Sequence, residues 1–184
     1  MTEAAEILNL MRKKCNFVDE IAEDTFEKNI VIPLLDEMNL SYCFGATKLV
    51  IIPENTSFVI KIPFSSTITN NQYEPIIDYC DAEMRIYNKS KIEKCENFFL
   101  PLELIGKING YPIYRQEKAE IEKNDTDLLI LSMKQTVWYK IAQEKENFEC
   151  FLNFCKTEHI MDLRSENLGY YNNEPVVIDY GGFI

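Results

Sequence analysis

The chain has 184 residues, of which 46% are hydrophobic and 12% aromatic, and a formal net charge of −11. That is enough apolar material for one domain or two small lobes with a real core, and it excludes a disordered chain. The acidity, unbroken by any Lys/Arg cluster, argues against binding to nucleic acid or to anionic membranes.

The first residues, Met1 to Glu6, carry no basic region and no long apolar core, so no signal peptide is expected. No apolar run reaches transmembrane length. Six cysteines, at 15, 43, 80, 95, 150 and 155, form no C-x-x-C pair. With no export signal, reduced thiols and a cytoplasmic location are the expectation. The only histidine is His159, so a zinc site is not supported, and a Ser/His or Cys/His hydrolase would depend entirely on that residue, which has no nucleophile motif beside it.

Residues 3–14 and 17–38 predict helices. In the second, Phe17, Ile21, Phe26, Ile30, Leu34, Leu35 and Met38 form a helical apolar stripe that Pro33 kinks or divides. These helices are expected to brace the rest of the chain. The period changes over 40–64. Leu49 to Pro53 and Ser57 to Phe64 predict two strands around a turn at Glu54-Asn55-Thr56. Phe58, Ile60, Ile62 and Phe64 share one face of the second strand, and Val59, Lys61 and Pro63 share the other. A lysine in so apolar a strand is either an edge charge that discourages aggregation or a group aimed into a cleft to hold phosphate.

Residues 74–88 predict a helix with Ile76, Cys80, Met84 and Tyr87 on one face. At 100° per residue Glu83 falls in the middle of that face. A buried carboxylate needs a partner or gives up its charge. The alternative is an exposed glutamate on a misassigned helix. Residues 98–114 predict strand, turn and strand, with Asn109-Gly110 as the hairpin signal, and Gln116-Glu117-Lys118-Ala119 follows. Residues 120–160 predict mainly helix. One helix starts at Asp125-Thr126-Asp127 and runs through Met133. Another spans about 136–157 and carries Val137, Trp138, Ile141, Phe148, Phe151, Leu152 and Cys155, with poorly capped turns that allow for two helices.

The chemistry-bearing stretch is His159-Ile160-Met161-Asp162-Leu163-Arg164-Ser165-Glu166-Asn167, followed by Val176-Val177-Ile178-Asp179-Tyr180-Gly181-Gly182. Asp162, Asn167 and Asp179 offer three oxygen ligands on tight turns, suited to a divalent metal that carries phosphate. The bland alternative is a polar loop and a hairpin ending in Gly-Gly.

These residues resemble the motifs of the protein kinase-like superfamily, H-R-D-L-x-x-x-N followed by D-F-G. Asp162-Leu163 and Asn167 match the first, and Asp179-Tyr180-Gly181 matches the second with Tyr for Phe. Val59-Ile60-Lys61 resembles the V-A-I-K strand, and residues 116–119 resemble the hinge. The resemblance covers about 40–182. It implies an α+β, two-lobed kinase-like fold, with an N-terminal helical extension over 1–38, an antiparallel-sheet lobe over 39–117 and a reduced helical lobe over 118–184. It implies ATP and Mg²⁺. Lys61 would contact the α/β phosphates, oriented by Glu83. Gly45 would form the phosphate loop, and Gln116, Glu117, Lys118 and Ala119 would bind adenine. Asn167 and Asp179 would hold Mg²⁺, and Asp162 would take the acceptor proton. The chain departs from the pattern in three ways. A single glycine, Gly45, stands for the Gly-rich loop. Ile160 and Met161 replace the His-Arg pair, so no phosphorylation switch is expected there. The sequence stops at Ile184, before any activation segment. The resemblance therefore implies a minimal atypical kinase acting on a protein or small molecule, or a pseudokinase that binds a partner protein, or a small-molecule phosphotransferase.

Overall fold

A computed structural model describes residues 32–37, 39–44, 48–63, 68–69, 72–73, 79–108, 111–122 and 131–181. The helix predicted over 3–14, most of that over 17–38, Gly45, the Asn109-Gly110 turn, residues 123–130 and Gly182 lie outside them. The fold is mixed α+β with antiparallel pairing. It divides into two compact units, Met1–Cys80 with Glu103–Gln116, and Asp81–Leu102 with Glu117–Ile184.

The first unit is built on a five-stranded sheet. Its strands are β1 (Ser41–Phe44), β2 (Lys48–Ile52), β3 (Phe58–Pro63), β6 (Leu102–Ile108) and β7 (Tyr111–Glu117), in the order β1-β2-β3-β7-β6. A small ribbon of β4 (Ile68–Thr69) and β5 (Gln72–Tyr73) stands apart from that sheet in pairing. The helix α1 (Ile32–Glu37) precedes β1. Its Pro33 is the second residue, where the missing N–H breaks no helical bond. Asn39, at φ 54°, ends α1, and the Leu40 N–H returns to Leu35 O at 3.0 Å.

β2 and β3 lie where alternation predicts them. Asn55 takes a left-handed φ of 56° in the turn between them, and the Thr56 hydroxyl spans it toward Pro53 O (3.0 Å) and Phe58 O (2.9 Å). Register sorts the two faces. Ile51 pairs with Ile60, and with Leu49 they form a fully buried row. Cys43 pairs with Val50, and Val50 with Lys61, so those three share the opposite face. β3 is central in the sheet, which removes the edge-charge reading of Lys61.

The second unit combines helices with a sheet, where the sequence predicts mainly helix over 120–160 and a short apolar strand running up to Asp179. Its helices are α2 (Tyr79–Ile92), α3 (Val137–Ala142) and α4 (Phe148–Thr157), and the long prediction over 136–157 resolves into the last two. Asn147, at φ 67°, separates them. Its sheet runs β10-β9-β8, with β8 at Glu120–Ile121, β9 at Leu168–Tyr171 and β10 at Glu174–Val177. Three expectations are corrected. Residues 120–121 are strand, not helix, because they pair with Tyr170 and Gly169. Residues 98–101 are not strand. Glu96–Phe98 is a 3-10 turn that drives Phe98, Phe99 and Leu100 into the core, and strand begins at Leu102. Of the helix predicted through Met133, residues 131–132 are extended and Met133–Gln135 is a 3-10 turn.

Aromatic rings dominate this core. Phe98 stacks on Phe151 at 4.7 Å, Phe99 meets Phe154 edge-on at 5.7 Å, and Trp138 lies 5.9 Å from Phe151. Each such pair adds about 0.5–1.5 kcal/mol beyond its buried area. Glu122 is buried yet satisfied. One of its oxygens accepts the Val137 and Trp138 N–H groups at 2.9 and 3.2 Å, where the N-terminus of α3 favours a negative charge. Thr136 completes that cap by accepting from Tyr139 N at 3.1 Å. β8 reaches β9 only because residue 169 is glycine: a Cβ there would strike the Glu120 carbonyl. Among the described residues no helix is long and apolar enough to cross a membrane.

Candidate functional site

The loop that carries Asp162 is launched by the end of α4. His159 takes a left-handed φ of 56° just past the helix, and Ile160 N–H returns to Cys155 O at 2.9 Å. This is a Schellman closure with histidine in the usual glycine place. It leaves His159 exposed, buries Ile160 and points the chain into the loop.

The loop is then fixed on two sides. Residues 131–133 run alongside it. Met133 N–H donates to Leu163 O and Ser165 N–H to Leu131 O, both at 2.9 Å, and Ser132 bridges to Arg164. On the other side a 3-10 turn, Ser165–Asn167, feeds directly into β9. The β9–β10 hairpin closes through Asn172 and Asn173, both at positive φ (53° and 63°) as a two-residue primed turn requires. Its register pairs Leu168 with Val177. One step further, Ile178 N–H donates to Asn167 O at 2.7 Å. Asn167 and Asp179, twelve positions apart in sequence, are therefore held at one end of a single hairpin.

The polar side chains follow from that backbone. Asn167 Nδ2 donates to the Asp162 backbone oxygen and to its carboxylate Oδ2, both at 2.9 Å. The amide nitrogen is thus engaged, and the carboxamide oxygen is the atom that Asn167 offers to a hard cation. Arg164, which the sequence reading passes over, lies against the same carboxylate. Its Nε is 2.7 Å from Asp162 Oδ1, and a terminal nitrogen is 3.3 Å from Oδ2. The Nε–H does not point along the shorter line, so that contact is electrostatic and not a hydrogen bond. A cation two positions past Asp162 was the available signal.

Glu83 is fully buried on α2, as its place on the apolar face predicts. One of its oxygens accepts the Tyr180 N–H at 3.4 Å. Tyr180 is buried too. Its hydroxyl donates to Leu100 O at 2.7 Å, and its ring meets Phe99 edge-on at 5.1 Å. Tyr180 is therefore anchored through its phenol oxygen, and it fixes the residue beside Asp179. Replacing Tyr180 with phenylalanine keeps the ring and orphans the Leu100 carbonyl. The expected loss is about 1–2 kcal/mol, read as a lower midpoint in urea. An unchanged midpoint would remove the anchoring role.

Glu83, Asp162, Asn167 and Asp179 belong to the second unit, and Lys61 and Gln116 to the first. Lys61 and Gln116 are buried at 4% and 1% exposure. Glu117 ends β7, and Lys118 and Ala119 follow it, all half-buried. In the first unit Cys43 is an exposed residue whose thiol is pushed up by partial desolvation, an effect that the neighbouring Lys61 charge partly offsets. Gly45 lies outside the described residues.

The donors of Asn167 and Asp179 are hard oxygens, which suit Mg²⁺. That ion typically takes one or two protein oxygens and completes its shell with phosphate and water. No group of three His, Cys, Asp or Glu side chains suited to a metal occurs among the described residues. A site of this kind therefore relies on a ligand's own oxygens. No family model matches this chain, and no curated protein or solved structure matches it.

Proposed function

We propose that this chain is a minimal, atypical member of the protein kinase-like superfamily, with its two-lobed fold, that binds ATP with Mg²⁺ and transfers the γ-phosphate to a hydroxyl of a protein or small molecule. The observation that carries the reading is the clasp of Asp162 by Asn167, joined through Asn167 O and Ile178 N to the segment bearing Asp179. Phosphoryl transfer is mostly positioning and charge neutralisation, so fixed carboxylates matter more than reactive ones. Asn167 and Asp179 are assigned to the cation, which when bound would neutralise phosphate charge. Asp162 is assigned to the acceptor hydroxyl, held in place by Asn167 and Arg164. Lys61 is assigned to the phosphates, and residues 116–119 to the adenine edge.

A thermal melt tests this. Ligand at about 100 times its Kd adds roughly 2.7 kcal/mol, a rise on the order of 5–10 °C for a chain of this size. The expected result is a rise with ATP that needs Mg²⁺ and is lost in Asp179→Asn. No rise at millimolar ATP would overturn nucleotide binding. A rise independent of Mg²⁺ and kept in Asp179→Asn would overturn the metal assignment.

A second reading, a pseudokinase that binds nucleotide or a partner protein without transfer, is favoured by one feature. Both oxygens of the Asp162 carboxylate already have partners, Oδ1 in Arg164 and Oδ2 in Asn167.

A further inference from the structure

Outside the loop just described, the second unit gathers three of its cysteines. Cys95 follows the turn that leaves α2, and Cys150 and Cys155 lie on α4. None of the three is in a disulfide. The first turn of α4 grips the 93–95 turn at two points. Asn147 Nδ2 donates to Lys94 O at 3.3 Å, and the Cys150 thiol donates to Glu93 O at 3.2 Å. Lys94, at φ 59°, bends the chain so that Cys95 turns inward behind it. There the Cys95 thiol lies within hydrogen-bonding reach of Cys150.

The two thiols differ in access. Cys95 has no exposed surface. Cys150 is half-buried and lines an open groove with Lys89, Glu93, Phe154 and Glu158. Burial pushes the Cys95 thiol up to about 12, with the neighbouring Cys150 adding to the rise, so Cys95 is kept protonated and is reached only through its partner.

We propose that Cys95 and Cys150 are a redox modification site that closes to a reversible intramolecular disulfide when hydrogen peroxide reaches the groove. The Cys150 sulfur attacks a peroxide oxygen, the O–O bond breaks, and a sulfenic acid and one water result. The Cys95 sulfur then displaces the sulfenic oxygen as a second water and forms the S–S bond. Two thiols lose two electrons and two protons, and one peroxide becomes two waters. The bond would staple the end of α2 to α4 and is independent of nucleotide binding.

The test uses the full chain, reduced and then exposed to stoichiometric hydrogen peroxide. Thiols are alkylated under denaturing conditions, and peptides are mapped by mass. Six alkylations are available in the reduced chain. The expected result is loss of two, with one cross-linked species joining the Cys95 and Cys150 peptides, reversed by dithiothreitol. Cys155→Ser keeps the cross-link and Cys150→Ser abolishes it. Full alkylation after peroxide, sulfinic or sulfonic acid at Cys150 without a bridge, or a bridge between any other pair or between chains would overturn the proposal.

Discussion

Trp138→Ala is expected to remove about 3–5 kcal/mol of stability, most of what a small unit possesses. Trp138 has no exposed surface and sits on α3, with Phe151 against its ring. Its indole N–H donates to Val176 O at 3.1 Å, on the strand that leads to Asp179. Truncation therefore opens a cavity and also leaves a buried carbonyl without its donor, which costs a further 1–3 kcal/mol or so. The chain has a single tryptophan, so its fluorescence reports unfolding of the second unit alone in the wild type. The variant must be followed by circular dichroism. Trp138→Phe separates the two effects, since it refills most of the cavity but not the hydrogen bond. A loss below about 1 kcal/mol in Trp138→Ala would show that α3 is not a pillar of this core.

Much of this was legible in the sequence where local periodicity carries it. Glu83 could be placed on a buried face because a helix of 100° per residue leaves it no other. β2 and β3 follow from alternation around a turn that needs Asn55, and poorly capped turns over 136–157 allow for the two helices that Asn147 separates. The spacing from Asp162 to Asn167 fits a loop in which one side chain can clasp the other. What was not legible depends on distant partners. β8 has two residues, and nothing in Glu120–Ile121 announces a strand until Tyr170 and Gly169 arrive beside it. β1 was missed because Ser41–Phe44 is too short for alternation to show. Phe98 to Leu100 was read as strand because a short apolar run looks alike whether it lies in a sheet or plugs a core. Arg164 is less legible for a different reason: a charge in a polar loop carries no periodicity, and its place two positions past Asp162 is the one signal it offers.

Asp162→Asn should separate chemistry from binding. The substitution keeps the shape of the side chain, and its remaining carbonyl oxygen can still accept from Asn167 or Arg164, so the loop should stay folded. What is lost is the carboxylate proposed to receive the acceptor proton. General base catalysis typically contributes 10²–10⁴ in rate, and phosphate transfer from labelled ATP should fall by about that factor. The Mg²⁺-dependent thermal shift should survive, because Asn167 and Asp179 are untouched. Each carboxylate oxygen has two lone-pair directions, so the Arg164 and Asn167 contacts leave the wild-type group room for one more partner. That room is what the active reading requires, and the variant puts it at risk. Transfer within tenfold of wild type would remove Asp162 from the chemistry. A wild type that binds ATP·Mg²⁺ but transfers nothing to itself, to a lysate or to hydroxyl-bearing metabolites would move the assignment to the pseudokinase reading, with Arg164 as the residue that holds Asp162 out of use.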